Sequence, residues 1–422
     1  MSGGRRIVVV GAGVIGVTTA QALLADGHEV TLLEARGSAA AGTSQANGGF
    51  LSAAFCAPWA MPGLPRQAMA ALFDRQAPFR WRPDGSLDQL RWLRALIAQC
   101  DAAQFARHRR RMVRLALLSR VCLQGVLAQT GLEVAGRGSG VLQLFRRAPA
   151  EALIRQRLDE LRGHGFDAHW CRPEQVQALE PGLRADAGVV GALQVRDDGC
   201  GDCAVFVQSL LGWCQARGLR VALEAPVQAL EVDAGGRRLR AVRARGQRWA
   251  ADAFVFATGV DTPRLLRPHL AVPVLPVKGY SISVPVADGQ GVRGAVIDDA
   301  SKLAVTRLGT QLRLAGMADV VGHDLRVDAA RCAQLVRQHE ALFGPLPHER
   351  RLWAGLRPMT PDGTPIIGAT PIEGLYLNTG HGTFGWTMAC GSARLLADLI
   401  AGRPAPLEPQ AYALDRASRA RD

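Results

Sequence analysis

Two glycine-rich loops, one near each end of the chain, and an arginine shortly before the second carry the chemistry open to this sequence. The first loop, Gly11-Ala12-Gly13-Val14-Ile15-Gly16, follows the apolar run Ile7-Val8-Val9-Val10. Gly11 allows a tight turn, Gly13 lets a pyrophosphate approach a helix N-terminus, and Gly16 lets helix and strand pack closely. Glu34 lies 23 residues after Gly11, at the end of a second apolar run, Val30-Thr-Leu-Leu. There it would accept hydrogen bonds from a ribose and disfavour a 2′-phosphate. Residues 7–16 with Glu34, Ala35 and Arg36 are therefore assigned to one end of a dinucleotide site. The second loop, Gly380-His381-Gly382-Thr383-Phe-Gly385-Trp386, separates a short strand from a helix expected over about Trp386–Ile400, which stops at Gly402. It too presents bare amides at a positive helix end. Two such sites in one chain imply a long cofactor held at both ends.

The elements that must hold these loops alternate strand and helix. A helix to about Asp26 follows Gly16, and a small polar loop, Thr43-Ser44-Gln-Ala-Asn47-Gly48-Gly49, suits contact with phosphate or a ring. Two helical blocks are expected over 59–130, then a strand at Gly138–Phe145, a helix at Glu151–His164 and a strand at Gly191–Val195. Short strands with polar turns run from Val221 through Val227–Val232 and Leu239–Ala244 to Ala253-Phe-Val-Phe-Ala-Thr258-Gly259. The strand start Val227 and the strand end Thr258-Gly259 join the cofactor assignment. A separate antiparallel sheet is expected from Pro273–Val284, Leu303–Thr306 and Gln311–Gly316, with an amphipathic helix at about Ala329–Leu342.

At 422 residues the chain can bury a large core, and two domains are expected. No apolar run reaches the roughly 18 residues of a membrane span. Arg5-Arg6 before apolar residues superficially resembles a signal peptide, but cleavage near residue 25 would destroy the first glycine loop; the segment is taken as retained and the protein as cytoplasmic. The charge of +13 comes from 50 basic residues of which only Lys278 and Lys302 are lysine, so 48 are arginine scattered among alanines. That pattern does not argue for nucleic acid. Arg107, Arg109, Arg110, Arg111 and Arg114 share an expected helix, read as a solvated face, with attraction to anionic lipid as the alternative. Nine cysteines with irregular spacing fit a reducing compartment. Cys200-Gly-Asp-Cys203 has no second pair for zinc, and Asp202 is placed as the N-cap of a helix over Ala204–Ala216; no metal site is expected.

Several segments together resemble the D-amino acid oxidase-like FAD oxidoreductases, and within them bacterial D-amino acid dehydrogenase: Thr43-Ser-x-x-Asn47, Ala57-Pro-Trp-Ala-x-Pro62, Arg111-Met-Val-Arg-Leu115, Leu142-Gln-Leu-Phe145, Gly201-Asp-Cys203, Leu275-Pro-Val-Lys-Gly-Tyr280, Gly355-Leu-Arg-Pro-Met-Thr-Pro-Asp-Gly-Thr-Pro365 and Asn378–Gly391. The resemblance implies an α/β fold: a Rossmann-like, two-dinucleotide-binding FAD domain (residues 1–54, 199–270 and 355–422) and an inserted substrate domain of antiparallel sheet plus helices (55–198 and 271–354). It implies non-covalent FAD, since Gly355 stands where some sarcosine oxidases tether the cofactor through cysteine. Arg357 takes the superfamily's place for clamping a substrate carboxylate, a task for which a planar guanidinium is suited. Tyr280 either supports that carboxylate or packs in the sheet. His381 either contacts flavin or substrate amine or bonds to backbone. Thr383 stands where related glycine oxidases carry an arginine, so not every substrate contact carries over. The implied reaction is oxidative deamination of a D-amino acid to a 2-oxo acid and ammonia, with electrons passed to a quinone or other carrier and peripheral contact with the inner membrane face. The alternatives are an oxidase or dehydrogenase of glycine, sarcosine or (hydroxy)proline-type amines, and a non-catalytic FAD-binding subunit.

Overall fold

The computed structural model describes residues 4–71, 74, 76–134, 136, 140–287 and 290–416. In the strand Arg6–Val10 the run Ile7–Val10 is apolar because it is the middle of a sheet covered on both faces. It pairs in parallel with Glu29–Leu33 and Ala253–Phe256, and the sheet continues to Arg220–Ala222 on one side and to Leu375–Thr379 and the antiparallel edge Ile366–Ala369 on the other. Ile7 and Val9 face a core built with the helices Val14–Ala25, Cys203–Gln215 and Gly385–Ala401. Val8 and Val10 face the opposite way, onto a three-stranded hairpin sheet of Val227–Val232, Leu239–Ala244 and Gln247–Ala250.

The second sheet has the order Arg351–Met359, Leu275–Pro285, Gln311–Val320, Ala304–Leu308, Ala295–Asp298, Val141–Phe145, Gly191–Val195, Ala168–Cys171, with Phe79–Trp81 alongside Gln311–Val320. It is mixed rather than purely antiparallel, because Ala295–Asp298 and Phe79–Trp81 each pair in parallel with a neighbour. Helix Ala329–Phe343 covers one face, burying Leu335 and Cys332 beside Ile282 and Leu314. The expected strand from Gly138 begins at Val141; Gly138 and Ser139 lie outside the described residues.

Three expectations need correction. The dividing point at residue 355 falls inside the strand Arg351–Met359, whose residues through Met359 belong to the second sheet. The region 59–130 holds three helices, Leu64–Ala71, Leu87–Ile97 and Ala102–Thr130. The last has the length and composition to cross a membrane, yet its Met112, Leu115, Ala116 and Leu123 are packed in the first core. It crosses Gly385–Ala401 at Gly391, where an added Cβ would meet Ser119 N at 2.7 Å and Leu115 O at 2.8 Å. Its arginines are not one solvated face either. Arg109 is buried and paired with Glu160, Arg107 and Arg111 are half-buried, and only Arg110 and Arg114 are exposed.

The turn after the Arg357 strand is fastened by the chain's far end. Arg416 donates to both Asp362 carboxylate oxygens, at 2.7 and 2.8 Å, and to Thr364 O at 2.6 Å, all buried. Burial alone would raise the Asp362 carboxyl; the Arg416 guanidinium outweighs it and holds the group below the usual range. Removing one member of a buried pair strands the other charge, so Arg416→Ala should cost about 3–5 kcal/mol of unfolding free energy, measured by urea unfolding. A carboxyl held low in the native state contributes stability that is lost as pH falls below the ordinary range, so the difference between wild type and variant should shrink on acidification.

Candidate functional site

A cavity of about 560 Å³ runs between the two sheets and reaches both glycine loops. Around the first loop it is lined by Val10, Gly11, Gly13, Val14, Ile15, Glu34, Ala35 and Arg36; Thr43, Ser44, Asn47, Val227, Thr258 and Gly259 line it too, as do Gly48 and Gly49, which lie against the second sheet. At the other it meets Gly380, His381, Gly382, Thr383, Gly385 and Trp386. Ile7, Val8, Val9, Ala12 and Gly16 do not line it. The three β-strand residues are buried sheet, and an added Cβ on Gly16 would sit 1.7 Å from Gly11 O. Ala12 gives its amide to Glu34 Oε2 at 2.6 Å, and Arg36 N reaches Oε1 at 2.9 Å, so the backbone aims the Glu34 carboxylate beside the turn. Gly11, at φ +102°, has the Ala257 carbonyl oxygen 2.8 Å from where a Cβ would be.

These residues fit an FAD. The cavity joins a helix N-terminus, an acid placed for ribose hydroxyls and a second helix N-terminus, the features a dinucleotide with a ring system uses. Asn378 adds an independent sign: its Nδ2 donates to Thr19 Oγ1 at 2.9 Å, while its buried Oδ1, in a residue of the lining, has no protein partner. A buried acceptor left this way costs free energy unless a ligand or water satisfies it.

Arg357 also lines the cavity. Its Nη1 donates to Met317 O at 2.7 Å and its Nη2 lies 3.4 Å from Gly316 O, and no carboxylate pairs with it among the described residues. Burial pulls its pKa down to about 10, so it stays cationic at neutral pH. Room for the guanidinium comes from Gly279 on the next strand, where an added Cβ would lie 2.4 Å from Nη2. The strand then meets the second glycine loop through a bridge between Met359 and His381.

Tyr280 is placed differently from Arg357. Pairing sets Tyr280 opposite Ala354 and Val277 opposite Arg357. Side chains alternate along a strand, so Tyr280 and Arg357 stand on opposite faces of the sheet. The Tyr280 hydroxyl donates to Asp319 Oδ2 at 3.0 Å, and Asp319 is also held by Arg331, both about 1% exposed. Tyr280 also borders the cavity, while its hydroxyl is engaged by Asp319 and its ring packs in the core with Ile282 and Val284.

His381 is buried with Nε2 2.9 Å from Ser392 Oγ. Ser392 gives its own proton to Met388 O at 2.9 Å, so it must accept from His381 Nε2–H, leaving Nδ1 the unprotonated nitrogen. Burial lowers the imidazole to about 3, so it is neutral in the working range. Asp202 caps the helix Cys203–Gln215 by accepting from the amides of Ala204 and Val205. Cys203 is buried with its thiol pushed up to about 12 by desolvation, and no metal-binding cluster occurs among the described residues. Lys302, one of the two lysines, lines the cavity, as do Trp353, Ile297, Ala304 and Ala315, which were not foreseen; the signal for Trp353 was its place two residues before Gly355 in the motif that carries Arg357.

The model of the family described as FAD dependent oxidoreductase matches residues 6–399. The chain is 43% identical over 416 residues to D-amino acid dehydrogenase of Cereibacter sphaeroides, covering 97% of this chain and 95% of that one. Glycine oxidase from Geobacillus kaustophilus superposes with a TM-score of 0.76 at 21% identity, covering 98% and 99% of the two chains. L-proline dehydrogenase from P. horikoshii gives 0.74 at 18% identity, covering 100% and 99%. The two structural likenesses establish the fold. With a family match along nearly its whole length, the chain belongs to the FAD-dependent oxidoreductases.

Proposed function

We propose that the protein oxidises D-amino acids to 2-oxo acids and ammonia with FAD as cofactor. The observation that carries this reading is Arg357: a cation inside the cavity, fixed by two backbone carbonyls and without a carboxylate paired to it among the described residues. A substrate carboxylate supplies the missing anion, bound through the guanidinium's remaining donors. The relative named D-amino acid dehydrogenase supports the stereochemical class. An FAD-binding subunit without catalysis would have no use for such a group.

Bound FAD supplies the acceptor for the hydride leaving the α-carbon. The protein's part is positional: Arg357 fixes the carboxylate, the two sheets enclose the reacting centre, and the cavity excludes bulk water. The amine must be neutral when the hydride leaves. His381 offers a neutral Nδ1 in the lining, without adding charge near the site. The resulting imine is hydrolysed to 2-oxo acid and ammonia.

We further infer that the electrons pass to a quinone, with the protein working at the cytoplasmic face of a membrane. Helix Leu87–Ile97 supports this, because it turns Leu87, Leu90 and Ile97 outward together with Arg91 and Arg94. An apolar stripe flanked by cations suits an anionic interface. The basic cluster at 107–114 supports it less, being partly buried.

Arg357→Ala should keep FAD but lower kcat/KM for D-amino acids by about 30- to 5,000-fold, matching the roughly 2–5 kcal/mol lost when a buried charge pair is broken. Arg357→Lys should recover only part, for want of the fork. Near-normal turnover in Arg357→Ala would remove the anchor. Because His381 is neutral down to about pH 3, the pH profile of kcat/KM should rise with deprotonation of the substrate amine, and His381→Asn should not move that limb. Anaerobically reduced protein should be reoxidised faster by a water-soluble quinone than by oxygen in stopped-flow absorbance; rapid stoichiometric peroxide would favour an oxidase instead.

A further inference from the structure

The floor of the cavity beside Arg357 is a registered row. Trp353 stands opposite Ser281, Ser281 opposite Ala315, Ala315 opposite Ala304, and Ala304 opposite Ile297, across five adjacent strands. Residues directly opposite share a face, and Trp353, Ala315, Ala304 and Ile297 all line the cavity. The next row toward Arg357 is a pair of glycines, Gly279 opposite Gly355.

Each glycine is covered by a side chain of the strand Arg351–Met359. The Arg357 guanidinium lies over Gly279, its Nη2 2.4 Å and Cζ 2.5 Å from an added Cβ. The Trp353 indole lies over Gly355, its Cη2 1.8 Å and Cζ3 2.5 Å from an added Cβ. Cβ positions directly across a ladder are about 5 Å apart. Guanidinium and indole edge thus fill neighbouring vacancies on one platform. The only hydroxyl in the adjoining row, Ser281 Oγ, is buried and unpartnered. Lys302, also in the lining, is already paired with Asp299 at 2.9 Å.

We propose that Trp353 determines which side chains the protein accepts, forming the wall against which the side chain of an Arg357-bound amino acid packs. The inference rests on Arg357 as the carboxylate anchor. A carboxylate gripped at Gly279 holds its α-carbon beside the platform, and the indole edge is the next surface its side chain meets. Beyond lies the alanine row, small and without charge. This chemistry favours branched and aromatic apolar side chains over a methyl or a charged group: apolar area is buried, and an aromatic ring gains an edge contact with the indole.

The test compares kcat/KM for D-alanine, D-leucine and D-phenylalanine in wild type, Trp353→Phe, Trp353→Ala and Gly355→Ala, with bound FAD measured by absorbance. Wild type should prefer the two larger substrates. Trp353→Ala should lose about 30-fold on these and less than about 3-fold on D-alanine, the range a hydrophobic pocket discriminates. Trp353→Phe, the mild replacement, should keep most of the preference. Gly355→Ala, which must displace the indole, should show the same selective loss. Unchanged ratios, or an equal loss on all three substrates in both Trp353 variants, overturn the proposal. The anchor is judged separately: if Arg357→Ala loses turnover on all three while the Trp353 ratios stay flat, only the side-chain assignment falls.

Discussion

A guanidinium taken out of water with no salt-bridge partner among the described residues is the constraint around which the second sheet is organised. Arg357 is tolerable only because two carbonyls of the strand Gln311–Val320 accept from it. They can do so because that strand is irregular there. The ladder to Leu275–Pro285 shifts between Lys278 and Tyr280, and Met317 takes a left-handed φ of +61° that a non-glycine residue adopts at a cost of roughly 1–2 kcal/mol. Asp319 holds the far side of the irregularity, bound by Arg331 and by the Tyr280 hydroxyl. Lys278-Gly279-Tyr280 is then one device. Gly279 clears space on the cavity face, while Lys278 and Tyr280 reach Asp324 and Asp319 behind the sheet.

The cofactor end answers to a different demand, close approach of backbone to a ligand. Gly16 touches only protein, Gly11 borders the cavity as well, and their lack of side chains lets the turn, the helix and the Ala257 carbonyl crowd together. Gly13, Val14 and Ile15 at the start of the helix border the cavity, the Val14 amide already donating to Ser44 Oγ at 3.0 Å. The glycine pattern is thus partly a packing rule and partly a binding rule, and Glu34 serves both, receiving two backbone amides while its carboxylate borders the cavity.

Much of this was legible in the sequence, and the limits have a physical source. Gly11, Gly13 and Glu34 were readable because their chemistry is local, set by one turn and two strands adjacent in sequence. The second loop was readable for the same reason, and so was the Asp202 cap. Tyr280 was not, because which face it occupies depends on registration with a strand some seventy residues later. Arg109 was misread for a similar reason: its partner Glu160 comes from another helix. The strand Arg351–Met359 was hidden by its glycine and proline, which locally signal a turn but here mark a vacancy for neighbouring side chains. Trp353 was missed with it, since its position acquires meaning only once Gly355 and Gly279 are known to face each other.

The same strand has a mechanical role. It carries Arg357 in the substrate sheet, gives its Met359 carbonyl to Trp92 Nε1 at 2.9 Å, and passes through a turn gripped by Arg416 into Ile366–Ala369 at the edge of the cofactor sheet. A hinge between the layers would have to bend this stretch, where Arg357, Met359, Asp362 and Thr364 are each tied to another element. The connection behaves as a strut. The Arg357 guanidinium is thereby held at a set place relative to the second glycine loop, a fixed dimension of the frame.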